Sequence, residues 1–314
     1  MTDHDMTDDA PRAASQRKPQ LDRTAVASLL VLCFLWGLNQ VAAKVALAEV
    51  SPLQQVAIRC VGATLLVWGW ARWRGIALWQ RDGSLAGGLL AGALFAAEFA
   101  CIFIGLQYTS ASRMAVFIYL SPFVVALGMP FIAKSERLTG WQWVGLGAAF
   151  AGVASAFAEG FTQPAAGAQQ WLGDALGMAA GVLWGATTLA IRGSALNRAS
   201  PEKTLLYQLG VTGVALAAAA LMQGTPWPHR LSPVVWVSMG FQVVVVSAAS
   251  YLFWFWLVRH YRATQLASFT LLTPVFGLAM GALLLNEPIT LRLVLALLAV
   301  AAGIVIVNRP ARSS

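Results

Sequence analysis

Residues 34–44 read Phe34-Leu35-Trp36-Gly37-Leu38-Asn39-Gln40-Val41-Ala42-Ala43-Lys44, and residues 182–192 read Val182-Leu183-Trp184-Gly185-Ala186-Thr187-Thr188-Leu189-Ala190-Ile191-Arg192. Leu35, Trp36, Gly37, Ala42 and Lys44 match Leu183, Trp184, Gly185, Ala190 and Arg192 at a constant offset of 148. Working outward, Ser51-Pro52 matches Ser200-Pro201, which sets Arg59 against Gln208. Ala111, Ala115, Phe117, Leu120 and Pro122 match Ala263, Ala267, Phe269, Leu272 and Pro274 at an offset of 152. After a one-residue slip, Glu136, Thr139, Leu146 and Gly152 match Glu287, Thr290, Leu297 and Gly303. Each match alone is weak in so biased a composition. Their shared order and nearly constant offset make an internal repeat.

The composition says where such a repeat resides. Of 314 residues, 58% are hydrophobic and 11% charged, with a mean hydropathy of +0.68. An ordinary globular domain carries about 25% charged residues, so a water-facing surface cannot be built from this chain. The net charge of +8 and pI near 9.9 would alone suggest nucleic acid. With this hydrophobicity they point instead to basic loops beside membrane spans. Disorder, a disulfide scaffold and a nucleic-acid partner are disfavoured. Cys33, Cys60 and Cys101 sit in apolar stretches without metal-ligand spacing, and His4, His229 and His260 are scattered, so no metal and no cofactor is expected.

A hydrocarbon core of ~30 Å needs about 20 apolar helical residues. Ten such segments are expected, at 24–47, 53–72, 84–106, 112–133, 140–159, 171–193, 202–223, 233–257, 264–285 and 289–308. Residues 1–23 are polar and read as a retained, disordered cytoplasmic tail, not a signal peptide. With that tail inside, the cytoplasmic side collects Arg12, Arg17, Lys18, Arg23, Arg72, Arg74, Arg81, Lys134, Arg137, Arg192, Arg198, Lys203, Arg259, Arg262, Arg309 and Arg312. The other side receives only Arg113, Arg230 and Arg292. Lysine and arginine bias of this kind orients a membrane chain, so both termini are expected in the cytoplasm. The repeats then occupy 24–159 and 171–308, with five spans each. Five is odd, so the halves must cross in opposite senses, as in inverted-topology transporters with a substrate site between the halves. The fold class is thus an all-α membrane protein of ten transmembrane helices in two inverted five-helix repeats.

The same residues carry a resemblance. Phe34-Leu35-Trp36-Gly37, Arg59, Gly105-Leu106-Gln107-Tyr108-Thr109-Ser110-Ala111 and Leu120-Ser121-Pro122 are followed in the second half by Leu183-Trp184-Gly185, Tyr207-Gln208-Leu209, Leu272-Thr273-Pro274 and Leu285-Asn286-Glu287-Pro288-Ile289-Thr290. Over roughly residues 25–308 the chain resembles the EamA-type transporters of the drug/metabolite transporter superfamily. The resemblance implies a ten-helix inner-membrane carrier, commonly an exporter of amino acids or related metabolites. It does not identify the substrate.

Among candidate site residues Glu98 ranks first. It interrupts Ala96-Ala97-Glu98-Phe99-Ala100 inside the third span, where a carboxylate costs several kcal/mol and usually faces a bundle interior. At 1.5 Å per residue it lies ~12 Å from the end of its span, and Arg59 lies ~9 Å deep in the second. A Glu98–Arg59 pair is therefore geometrically accessible. The pair could bind substrate or protons, or it could simply lock two helices. Arg59 could meet a substrate carboxylate or snorkel outward; Lys44, near a span end, favours snorkelling. Asn39, Gln40, Thr187, Thr188, Trp36 and Trp184 occupy matched places in the two halves, and Tyr207 and Gln208 join them as cavity-compatible groups. Asp174 and Arg192 read as interface charges, Trp254 and Trp256 as lipid-facing or interfacial, and Pro122 and Pro274 as kinks or hinges.

No G-x-x-x-x-G-K-[ST] loop, H-E-x-x-H, G-x-S-x-G or potassium-filter motif occurs, so an enzyme is not expected. The expected partners are a small-molecule substrate, the lipid bilayer and protons as a candidate coupling ion. The chain is expected to be a monomer or weak homodimer. The leading expectation is efflux of amino acids or related metabolites by alternating access. The alternatives are uptake of a sugar or other metabolite, and a non-transporting assembly or lipid-handling protein.

Overall fold

Two serine–proline pairs start matched helices by the same chemistry. Proline suits the first helical turn because its missing N–H would be unpaired there anyway. Pro52 opens one helix, with Gln54 Oε1 accepting the Ser51 backbone N–H at 3.2 Å; Pro201 opens the other, with Ser200 Oγ accepting the Lys203 N–H at 3.2 Å. The computed structural model describes residues 18, 20–109, 111–156, 158, 167, 169–224, 226–285 and 291–308. Its helices are α1 (Arg23–Ala46), α2 (Pro52–Trp73), α3 (Ser84–Gly105), α4 (Ala111–Ile118), α5 (Ser121–Ile132), α6 (Gly140–Ala156) and α7 (Gln170–Gly193). They continue with α8 (Pro201–Met222), α9 (Pro233–Gly240), α10 (Tyr251–His260), α11 (Ala263–Phe269), α12 (Thr273–Leu285) and α13 (Leu291–Asn308). No named strand occurs among the described residues, only an isolated bridge between Lys18 and Tyr261.

Seven helical segments among the described residues are long and apolar enough to cross a membrane: Arg23–Ala46, Ser84–Gly105, Arg113–Ile132, Gln170–Gly193, Pro201–Met222, Pro233–His260 and Ala263–Leu284. Pro52–Trp73 has the length but carries Gln54, Gln55, Arg59 and Arg72. Gly140–Ala156 has 17 residues, and within the last helix Leu298–Asn308 is a shorter apolar stretch.

Helix pairing follows the repeat. α1 packs on α12 and α9, and its counterpart α7 packs on α5 and α3. α3 meets α8, just as the segment after α9 meets α2. α2 with α8, and α6 with α13, pair across the halves. Exchanging the halves maps this set of contacts onto itself. A duplicated helical unit accounts for that symmetry.

Small residues permit the closest of these approaches. Gly173, Gly177, Gly181 and Gly185 form one stripe on α7 facing α4, α5 and the end of α3. A Cβ at Gly181 would lie 2.5 Å from the Phe117 carbonyl oxygen, and one at Gly185 2.5 Å from Val124 Cβ. Backbones at such spacing gain dispersion contacts that larger side chains would block.

Three of these apolar segments differ from plain rods. Arg113–Ile132 breaks at Tyr119–Leu120, between α4 and α5, with Pro122 in the first turn of α5. Ala263–Leu284 breaks into a 3₁₀ turn at Thr270–Leu272, immediately before α12 and Pro274. The prolines thus start new helices after interruptions rather than bending continuous ones. Within Pro233–His260, Phe241–Ser250 winds as a π-helix between α9 and α10, which apolar content alone does not signal.

Of the expected tail, Lys18 and residues 20–22 are described and fixed. Lys18 N–H donates to the His260 carbonyl at 3.2 Å, Tyr261 Oη donates to Asp22 Oδ2 at 3.0 Å, and Asp22 Oδ1 caps α1 by accepting the Ala25 N–H at 2.8 Å. Lys18 Nζ, at 2.6 Å, and that cap hold the Asp22 carboxyl down at about 2. Residues 1–17, and Glu287 with its neighbours 286–290, lie outside the described residues.

Candidate functional site

The π-helix packs on α1 and α2, and Tyr251, the first residue of α10, reaches α3. Ser250 Oγ accepts the Trp36 Nε1–H at 2.8 Å and donates to the Val246 carbonyl. The next residue, Tyr251, packs edge-on against Trp36 and Phe95, with ring centroids 6.1 and 6.4 Å apart. Trp36 also packs on Trp254 at 5.3 Å. From Phe95 the aromatic wall continues along α3 to Phe99 at 5.0 Å and Phe103 beyond. π-Helical turns inside α-helices recur at functional sites because the extra residue re-aims side chains. Here it brings Ser250 and Tyr251 onto one wall with Trp36.

Glu98 and Arg59 end this wall. Glu98 is 6% exposed and Arg59 7%. The Arg59 guanidinium stands over the Phe99 ring at 5.1 Å, a cation–π contact that strengthens when shielded from water. Glu98 and Arg59 are within electrostatic reach of each other, and Tyr251 of both. The expected pair is nevertheless not an ion-pair contact: the ion pairs among the described residues are Lys18–Asp22, Arg113–Asp174, Arg192–Glu136 and Lys203–Asp82. Glu98 Oε2 and Arg59 Nε are both buried without a hydrogen-bond partner. A carboxylate and a guanidinium, each with uncommitted valences, thus face one aromatic lining.

The other expected residues divide. Trp184 packs edge-on against Tyr119 at 5.7 Å and shares the central core with Trp36, Cys33 and Trp254. Asn39 keeps a buried, unpartnered Oδ1, as Gln208 keeps Nε2 on α8. Tyr207 lies over Gly88, where a Cβ would come 2.4 Å from its ring. Thr187 and Thr188 are less available than expected. Their hydroxyls bond back to the Leu183 and Trp184 carbonyls at 2.8 and 3.4 Å on their own helix. Gln40 and Lys44 are exposed, and Lys44 sits in the last turn of α1, two turns from Trp36.

One charge expected at the interface, Arg192, is internal. Arg192 and Glu136 pair with side chains 1% and 2% exposed. Arg192 Nη1 also donates to the Val258 carbonyl at 2.8 Å, and Glu136 Oε2 accepts the Thr264 N–H at 3.3 Å. Asp174 takes Arg113 in a bidentate grip, with Thr109 Oγ1 donating at 2.7 Å. Trp254 packs inward against Trp36, whereas Trp256 is 40% exposed and stacks on Phe253. Of the residues that carry the wall, Tyr251 and Ser250 were visible only as scattered polar groups. Phe95 and Phe99 flank Glu98 at helical spacing, the one local signal that could have found them. No His, Cys, Asp and Glu group among the described residues is arranged to hold a metal ion.

The EamA-like transporter family matches residues 23–158 and again 171–309, one copy over each half. The chain belongs to the EamA-like transporter family. It is similar to the uncharacterized transporter sll0355 of Synechocystis, with 29% identity over 290 residues, covering 84% of this chain and 83% of that one. It is 28% identical over 303 residues to the uncharacterized transporter YvbV of Bacillus subtilis, across 94% and 95% of the two chains. A solved crystal structure shares its fold at 16% identity, with a TM-score of 0.73 over 89% of this chain and 96% of that one. The wall of Trp36, Tyr251, Phe95 and Phe99, with Glu98 and Arg59 at its end, therefore lies within a membrane transporter of the EamA family.

Proposed function

We propose that this transporter is an inner-membrane secondary carrier, with two inverted five-helix repeats and both termini in the cytoplasm, that exports amino acids or related small metabolites by alternating access. Antiparallel halves are supported by the ends of matched helices. Asp22, at the start of α1, bonds Tyr261, and Arg192, at the end of α7, bonds Val258 in the same region. The single observation carrying the substrate reading is the buried Glu98 carboxylate, with Oε2 unpartnered, beside Arg59 and an aromatic wall. A zwitterion satisfies both groups at once: its ammonium on Glu98, its carboxylate on Arg59, its side chain against Phe95, Phe99 and Tyr251.

Protons would compete for Glu98. A buried carboxylate that alternates between proton and substrate ammonium couples two gradients without further machinery. The Arg192–Glu136 network closes one end of the bundle, and the Arg113–Asp174–Thr109 network ties the other. Neither reaches the aromatic wall, so one end can open while the other holds.

The test is uptake of a substrate panel into proteoliposomes with and without a pH gradient. Glu98→Gln keeps the shape and removes the charge. It is expected to reach the membrane normally and to lower transport at least ten-fold, with loss of pH-gradient dependence. Transport unchanged in that variant would sink the assignment.

A further inference from the structure

A groove of about 690 Å³ runs along the outside of the bundle between the first half of α1 and the π-helix with the start of α10. Small residues create it: Ala27 and Ser28 on one bank face Ala249 on the other, where larger side chains would fill the gap. Its walls are apolar, with Val31 56% and Phe253 39% exposed. One end is charged. Arg23 lines the groove at the first residue of α1 and, among the described residues, has no carboxylate partner. The neighbouring Lys18 is neutralised by Asp22.

Length identifies the occupant. From Arg23 to Leu35 the groove follows α1 for twelve residues, ~18 Å at 1.5 Å per residue. One leaflet of a ~30 Å hydrocarbon core is about that deep. The volume falls within the ~300–1,000 Å³ usual for sites that hold a small amphiphile. We infer that this groove is a binding site for one anionic glycerophospholipid, its phosphate on Arg23 and an acyl chain lying between α1 and the π-helix toward mid-membrane. A soluble anion would have no use for the apolar length, and a partner helix would leave Arg23 unmatched. The chain end of the groove reaches Ser250, whose hydroxyl holds Trp36. A resident lipid would thus brace the back of the aromatic wall. The inference requires only that the chain spans a membrane and does not depend on which solute is carried.

The experiment is native mass spectrometry of the delipidated full chain titrated with palmitoyl-oleoyl phosphatidylglycerol or with phosphatidylcholine of the same chains. One basic contact at a membrane surface is worth about a five-fold change in affinity. The wild type is therefore expected to prefer phosphatidylglycerol about five-fold, Arg23→Ala to erase that preference, and Arg23→Lys to keep most of it. Ala27→Trp should fill the groove and weaken both lipids; Val31→Trp serves if that variant does not accumulate. sn-Glycerol 3-phosphate at millimolar concentration should not displace the lipid. Equal binding of the two lipids, an unaltered preference in Arg23→Ala, unaltered affinity in the groove-filling variant, or displacement by the free phosphate would each overturn the inference. A loss of transport in Glu98→Gln with normal lipid binding would leave the two sites distinct.

Discussion

Replacing Glu136 by Gln should damage this protein far more than its place at the end of a span suggests. The carboxylate meets Arg192 where both side chains are almost wholly enclosed, while its second oxygen accepts the Thr264 N–H. Arg192 in turn holds the Val258 carbonyl. Four segments meet in this knot: the 3₁₀ turn Lys134–Glu136 after α5, then α7, α10 and α11. Removing one partner of a buried pair costs ~3–5 kcal/mol, because the remaining charge is left desolvated and unmatched. Glu136→Gln and Arg192→Met should each lie in that range. Removing both charges together leaves no orphan, and such replacements are often neutral. The double variant should therefore lie within ~2 kcal/mol of wild type, well below the sum of the singles. Reversible unfolding in mixed micelles titrated with sodium dodecyl sulfate gives the four free energies of the cycle. Additive losses would refute the reasoning, since they would mean the two side chains act independently.

The glycine stripe gives a matched contrast. Gly181→Ala forces a Cβ to 2.5 Å from the Phe117 carbonyl oxygen and should destabilise by ~1–3 kcal/mol, whereas Gly210→Ala, with nothing within 4 Å, should be neutral or stabilise by up to ~1 kcal/mol. Thermal melting of the two purified variants side by side decides it. At the base of α1, Asp22 has a folded carboxyl at about 2 against an ordinary 3.8. A depressed folded value stabilises above the ordinary one and is lost as pH falls through the folded one. The tie to Tyr261 should therefore be intact above about pH 4 and weaken toward pH 2, read by Tyr261 amide exchange, with Asp22→Asn showing the weakened state at every pH. Arg59→Gln should raise the KM for a zwitterionic substrate about ten-fold while sparing an amine that lacks the carboxylate; equal effects on both would remove Arg59 from substrate contact.

Depth along a helix follows from spacing and rise alone, so the order of residues suffices to set Glu98 and Arg59 at similar depth. Rotation about the helix axis is harder. Whether two side chains at one depth touch depends on the azimuth of each helix, and Arg59 is drawn to the Phe99 ring rather than to Glu98. The same limit explains Arg192 and Trp254. Both lie near positions that hydropathy assigns to an interface or to lipid, and both point inward. Thr187 and Thr188 show the converse, since a hydroxyl in a helix can be satisfied by its own backbone at no tertiary cost. Phe95 and Phe99 carried no polar signal at all.

The duplication, the all-helical class and the membrane setting were determined by sequence alone, because they rest on composition, spacing and the length needed to cross hydrocarbon. The prolines at 122 and 274 marked two departures from plain helix, but as kinks or hinges; that the helices there stop and restart came from the structure. Only the tertiary structure decided the π-helix at Phe241–Ser250, the wall it builds with Trp36 and Tyr251, and the enclosure of Glu136 with Arg192. Each depends on which face a helix turns toward partners far away in the chain. That choice is settled by packing all the helices together, and no single segment encodes it.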